Sequence, residues 1–114
     1  MKQEARSNNG VHILTLDGRF DAYQTTGPKA WLEQVTAAAP AQLVVNLAAV
    51  NFIDSTALAT LVQGLKRARQ HGGDLYLCHL AQPVRMVFEL TRLDKAFAIF
   101  TTEAEAVAAF RRDK

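Results

Sequence analysis

The sequence predicts an α/β fold: a single domain over residues 1–114 with a mixed central β-sheet of four to five strands and about four helices. Three observations lead there. Two short, largely apolar runs, "QLVVNL" (42–47) and "DLYLCHL" (74–80), read as strands buried on both faces. Between them Leu58, Leu61, Val62 and Leu65 recur at i, i+3, i+4, i+7, the period of an amphipathic helix over Ser55 to Gln70. Strand, helix and strand in that succession make a parallel crossover, and strand and helix signals continue to alternate on either side of it.

Taken in order, Lys2 to Arg6 is read as a short edge strand. Asn9-Gly10 favours a tight hairpin turn. "VHILTL" (11–16) is a β-branched, apolar strand, and "DGRFD" (17–21) is expected to be a loop. A helix follows with Thr26 or Gly27 as cap, Pro28 in its first turn, and Trp31, Val35 and Ala38 on its core face; Pro40 stops it. "HGG" (71–73) ends the long helix with glycine in the C-terminal cap position. Pro83 opens a helix to about Thr91, with Val84, Val87, Phe88 and Leu90 as its apolar members. "AFAIF" (96–100) is a last strand. In "TEAEAVAAFRR" (102–112) Thr102 and Glu105 form a capping box on a last helix.

Composition narrows the function. The chain has 114 residues, 49% of them hydrophobic and 21% charged, as in an ordinary globular domain. A net charge of +2 demands neither nucleic acid nor an anionic membrane. One cysteine, Cys78, excludes an internal disulfide and fits a reducing compartment. No run approaches the roughly 18 apolar residues of a membrane helix. The N-terminus has no signal-peptide core. The expectation is a cytoplasmic protein, complete as it stands.

The chemistry concentrates in "NFIDSTALAT" (51–60), where a core strand turns into a helix. Helix N-termini offer free N–H groups and the positive pole of the dipole. Phe52 and Ile53 are expected to anchor the turn in the core. Asp54 is a good N-cap, Ser55 is the first helical residue, and Thr56 follows. On the residues alone, capping is reason enough for all three. Other constellations fail. There is no glycine-rich phosphate loop, and His12, His71 and His79 lack metal-ligand spacing. No glycine precedes Ser55 to make a nucleophile elbow, so neither an enzyme nor a cofactor or metal is expected. Cys78 reads as an inert buried thiol, and Lys66, Arg67, Arg69 and His71 as a solvated basic helix end.

Nearly the whole chain resembles the STAS domain, the family of anti-sigma factor antagonists and of the cytoplasmic domains of sulfate transporters. "DGRFDA" is similar to the family's Gly-x-x-Asp turn. "VNFIDSTALATL" carries its Asp-Ser-Ser/Thr-Gly/Ala-Leu core, and "TRLDKAFAIF" its closing segment. In bacterial antagonists the serine after that aspartate is phosphorylated by a partner anti-sigma factor that is itself a serine kinase. The resemblance therefore implies Ser55 as phosphate acceptor, with Asp21, Asp54, Thr56 and Ala57 around it in partner binding. Asn46 stands where an Asp or Asn ends the preceding strand, and Ala57 replaces the commoner glycine. The implied partners are an anti-sigma factor/serine-protein kinase and a PP2C-type phosphatase that removes the phosphate. The alternative is a STAS accessory subunit of a lipid or anion transporter, docking through the same face without phosphate.

Overall fold

Asn9 and Gly10 both hold positive φ, 53° and 86°, which is the type I′ geometry that reverses a twisted ribbon tightly. They join strand β1 (Lys2–Asn8) to strand β2 (Val11–Phe20), paired antiparallel from Asn8↔Val11 to Lys2↔Asp17. The computed structural model describes residues 1–112. Strands β3 (Gln42–Ile53), β4 (Asp74–Cys78) and β5 (Ala98–Phe100) follow in parallel, and the sheet order is β1-β2-β3-β4-β5.

Strand lengths depart from the sequence pattern. The expected loop at 17–21 is strand as far as Phe20, and β3 runs six residues past Leu47 to Ile53. Each extension supplies the other's backbone partners: Gly18 lies opposite Val50 and Phe20 opposite Ile53. Register shifts between Thr15/Asp17 and Gly18/Arg19 accommodate the mismatch. Gly18 takes φ +117° there, a conformation that L side chains rarely adopt. The Asp-Gly pair thus marks a bulge, not the end of the strand. β4 stops at Cys78, because His79 leaves the strand with φ 57°.

Helices α1 (Thr26–Val35), α2 (Ser55–Gln70) and α3 (Gln82–Leu90) cover one face of the sheet, and α4 (Glu103–Arg112) part of the other. Leu14, Leu16, Phe20, Leu43, Val45 and Leu47 meet Trp31, Leu61 and Phe88 on the first face. On the second, Ile13, Val44, Tyr76 and Cys78 meet Val107 and Phe110, with the Tyr76 and Phe110 rings stacked at 4.0 Å between centroids. The capping box is present, the Thr102 hydroxyl accepting from Glu105 N–H at 3.2 Å and Glu105 Oε1 accepting from Thr102 N–H at 3.1 Å.

Four local expectations are corrected. α1 is capped by Thr25, so Thr26 and Gly27 are helical, and the helix ends at Val35, well before Pro40. Its end is fixed instead by Thr36, whose buried hydroxyl donates to the Leu32 carbonyl at 2.6 Å and accepts from Arg67 Nε at 3.0 Å. Arg67 and Arg69 stay exposed, as a solvated basic helix end requires, while Arg69 pairs with Asp74 at 3.3 Å and donates to the Ala96 carbonyl at 3.0 Å. Leu90 is 78% exposed, since Val84 and Phe88 fill the sheet-facing stripe and a residue six positions past Val84 lies about 240° around the helix. Phe52 is exposed while Ile53 is buried, because the register shift between Gly18 and Arg19 leaves Asn51 as an extra residue and turns Phe52 to the face opposite Val50.

Candidate functional site

The ends of β2 and β3 lie side by side and are laced together. Asp54 N–H donates to the Phe20 carbonyl at 3.3 Å, so the turns leaving the two strands start in contact. After β2 comes a 3₁₀ turn, Ala22–Gln24, capped by Asp21, whose Oδ1 accepts from Tyr23 N–H at 3.0 Å. After β3 comes α2, capped by Asp54, whose Oδ1 accepts from Ala57 N–H at 2.9 Å.

Asp54 does more than cap. Its second oxygen, Oδ2, accepts from Ala22 N–H at 2.9 Å, across 32 residues of sequence. One carboxylate thereby pins two turns to each other. The Ala57 N–H leads in holding its carboxyl below the ordinary carboxylate value, with the Ala22 and Thr56 N–H groups and the charge of Arg19 adding to it against partial desolvation. Asp54 is thus an anion through the neutral range.

Ser55 is the first residue of α2 and is exposed, as is Thr56; among the described residues nothing hydrogen-bonds the Ser55 hydroxyl. Ala57 lies beneath the turn at 0% exposure. Asp21 is half-buried and its Oδ2 pairs with Arg19 Nε at 3.0 Å, while the Arg19 guanidinium sits 3.6 Å over the Phe52 ring. Tyr23 stands 91% exposed on the 3₁₀ turn. The surface around Ser55 therefore combines an open hydroxyl, two carboxylates, a stacked guanidinium and an exposed phenol. Sequence singles out neither Arg19 nor Tyr23 and places Phe52 in the core: reading 17–21 as a loop hides the register that sets Arg19 against Phe52.

Asn46 stands apart from this surface. Its Oδ1 accepts from Ala48 N–H at 2.9 Å, and its Nδ2 donates to Glu103 Oε1 at 3.1 Å on the α4 side of the sheet. Burial opposes ionisation of Glu103, but the bond from Arg6 at 2.7 Å and that from Asn46 outweigh it and hold the carboxyl below its usual range. Glu103 N–H donates to His79 Nε2 at 3.1 Å. These groups brace the start of α4. Among the described residues no three His, Cys, Asp or Glu side chains are placed to hold a metal ion. Burial pushes the Cys78 thiol up to about 12. The turn presents the Ser55 hydroxyl at the surface, at the N-terminus of α2.

A model of the STAS domain family matches residues 2–106. The chain is 30% identical over 103 residues to an anti-sigma-B factor antagonist of Listeria monocytogenes, covering 90% of each protein. It is 24% identical over 105 residues to an anti-sigma F factor antagonist of Paenibacillus polymyxa, covering 91% of this chain and 90% of that protein. Its backbone superposes on the crystal structure of an anti-sigma factor antagonist from Mycobacterium paratuberculosis with a TM-score of 0.86 at 25% identity, over 96% and 93% of the two chains. Among the described residues no helix is long and apolar enough to cross a membrane.

Proposed function

The chain belongs to the STAS domain family, and on that premise we propose that it is an anti-sigma factor antagonist switched by phosphate at Ser55. In this reading the unmodified turn, with Asp21, Asp54, Ser55 and Thr56 at its surface and Ala57 beneath, captures a cognate anti-sigma factor that is also a serine kinase. The kinase transfers the γ-phosphoryl of ATP to Ser55 Oγ, the hydroxyl proton departs and ADP is released. A PP2C-type phosphatase hydrolyses the phosphoserine and restores the binding form.

The observation that carries the reading is the exposed Ser55 hydroxyl at the positive pole of α2, framed by a carboxylate that holds both turns rigid. A phosphoserine adds about −1.5 to −2 charges and three acceptor oxygens. The helix N-terminus tolerates that charge, so the scaffold stays folded. A partner packed on the turn must desolvate the new dianion beside Asp54 and Asp21. A loss of about 2 to 3 kcal/mol weakens binding roughly 30- to 150-fold, enough for release without refolding.

The test is incubation with the cognate kinase and ATP, phosphate mapping by mass spectrometry, and a pull-down with wild type and Ser55→Asp side by side. Phosphate on Ser55 and loss of the captured kinase by Ser55→Asp are expected. Phosphate elsewhere, or equal capture by both proteins, overturns the proposal.

A further inference from the structure

All seven residues of β1 are exposed, and β1 is one of the two edge strands of the sheet, the other being β5. In a two-residue hairpin the closing pair, here Asn8↔Val11, is hydrogen-bonded in both directions, and bonded pairs then alternate. Asn8, Arg6, Glu4 and Lys2 therefore spend their backbone groups on β2, while the N–H and C=O of Gln3, Ala5 and Ser7 point away from the sheet. That is an unpaired ladder, the form of surface that accepts another strand.

The side chains select the strand. On an edge left bare, charges usually repel a partner. Here they alternate in sign along one face: Lys2, Glu4 and Arg6. A strand of the same sequence laid antiparallel, in the register that uses all seven residues, is centred on Ala5. Glu4 then faces Arg6 of the second copy, Lys2 faces Asn8 and Gln3 faces Ser7. The parity agrees, because Gln3, Ala5 and Ser7 become the hydrogen-bonded positions, and Glu4 opposite Arg6 is a non-hydrogen-bonded pair, where side chains come closest. Arg6 Nη2 pairs with Glu103 at 2.7 Å and its Nε lies 3.6 Å from Glu4 Oε1, yet the Arg6 and Glu4 side chains stay 43% and 74% exposed on the face where a cross-strand pair would form.

We propose that β1 docks antiparallel on β1 of a second copy of this chain, joining two five-stranded sheets into one continuous sheet with two Glu4–Arg6 ion pairs across the seam. The inference is independent of phosphorylation at Ser55. Because the strands run in opposite directions, the two Ser55 turns lie at opposite ends of the joined sheet and both stay open to a partner. A seam of one strand per copy is small, so the dimer is a weak, transient one that forms near millimolar concentration.

The test uses the full chain, labelled with nitrogen-15. Sedimentation from micromolar to millimolar concentration is expected to show reversible dimerisation. Over the same range, amide exchange at Gln3, Ala5 and Ser7 is expected to slow, with Glu4, Arg6 and Asn8 unchanged. Glu4→Lys places like charges at both cross-seam pairs and is expected to weaken association about tenfold or more. Ala5→Pro removes one outward N–H and no bond within the monomer, and is expected to abolish the dimer; if it fails to fold, Glu4→Lys decides alone. A chain that stays monomeric at millimolar concentration overturns the proposal. So does a dimer in which the Gln3, Ala5 and Ser7 amides stay fast, or one that persists unchanged with Glu4→Lys.

Discussion

Ser55→Asp is expected to leave the stability of the fold almost untouched, and the structure supplies the two opposing terms. The first turn of α2 carries no acidic side chain. A carboxylate placed there gains about 0.3–1 kcal/mol from the helix dipole. It also meets the ionised Asp54 next to it, and two unit charges about 6 Å apart in water repel by ~0.7 kcal/mol, less once salt screens them. The terms nearly cancel, leaving a net change within about 0.5 kcal/mol. For 114 residues the unfolding entropy is about 0.24 kcal/mol/K, so the melting midpoint moves by no more than about 2 °C. Ala57→Asp, two residues on, is the control. Ala57 is fully buried, and a carboxylate forced into that site costs at least about 3 kcal/mol, or roughly 12 °C or more. Thermal melts of the three proteins, followed by circular dichroism, decide the matter. If Ser55→Asp falls as far as Ala57→Asp, the hydroxyl is not on the surface, and the proposed switch has lost its physical basis.

Asp54 needs both oxygens as acceptors, one for Ala57 N–H and one for Ala22 N–H. Asp54→Asn is expected to keep α2 capped but leave the Ala22 N–H facing an amide donor; amide exchange speeds up at Ala22 and Tyr23 and not within α2. The folded carboxyl lies below its ordinary value of 3.8. Its stabilising contribution is therefore fully present above that value and is lost as pH falls through the folded one. Wild type and Asp54→Ala are expected to differ most in urea midpoint at neutral pH and to converge in acid. The Cys78 thiol, buried and raised to about 12, is expected to resist a thiol reagent at pH 8 in the folded protein and to react on unfolding; fast native labelling contradicts this. A Cβ on Gly73 would overlap the Ala41 carbonyl oxygen, which accepts from Asp74 N–H at 3.0 Å. Gly73→Ala must push the start of β3 from the end of α2, costing about 3 kcal/mol as broken hydrogen bonds and disturbed packing, readable as a lower urea midpoint.

Much of the site was legible because its parts are local. An N-cap needs only an acceptor three residues before an N–H, and Asp54 before Ala57 meets that in sequence as in space. The exposure of Ser55 follows from helix geometry once the cap is placed. The buried runs at 42–47 and 74–80 and the leucine period of α2 are likewise near-neighbour patterns. What the residues left open, whether the trio caps the helix or also offers a binding surface, turns on groups far away in the chain.

By itself, then, the sequence determined the order of the elements, the faces of α2, the capped turn and the hydroxyl offered there, since each depends on contacts within about four residues. Tertiary structure alone decided how far β2 and β3 run, because a strand's last residues take their partners from its neighbour. It decided that Asp54 reaches Ala22, that Arg19 settles on Phe52, and that Leu90 stays in solvent once Val84 and Phe88 fill the available stripe. Such pairings rest on the sheet register, which the bulge at Gly18 sets and which no local periodicity encodes.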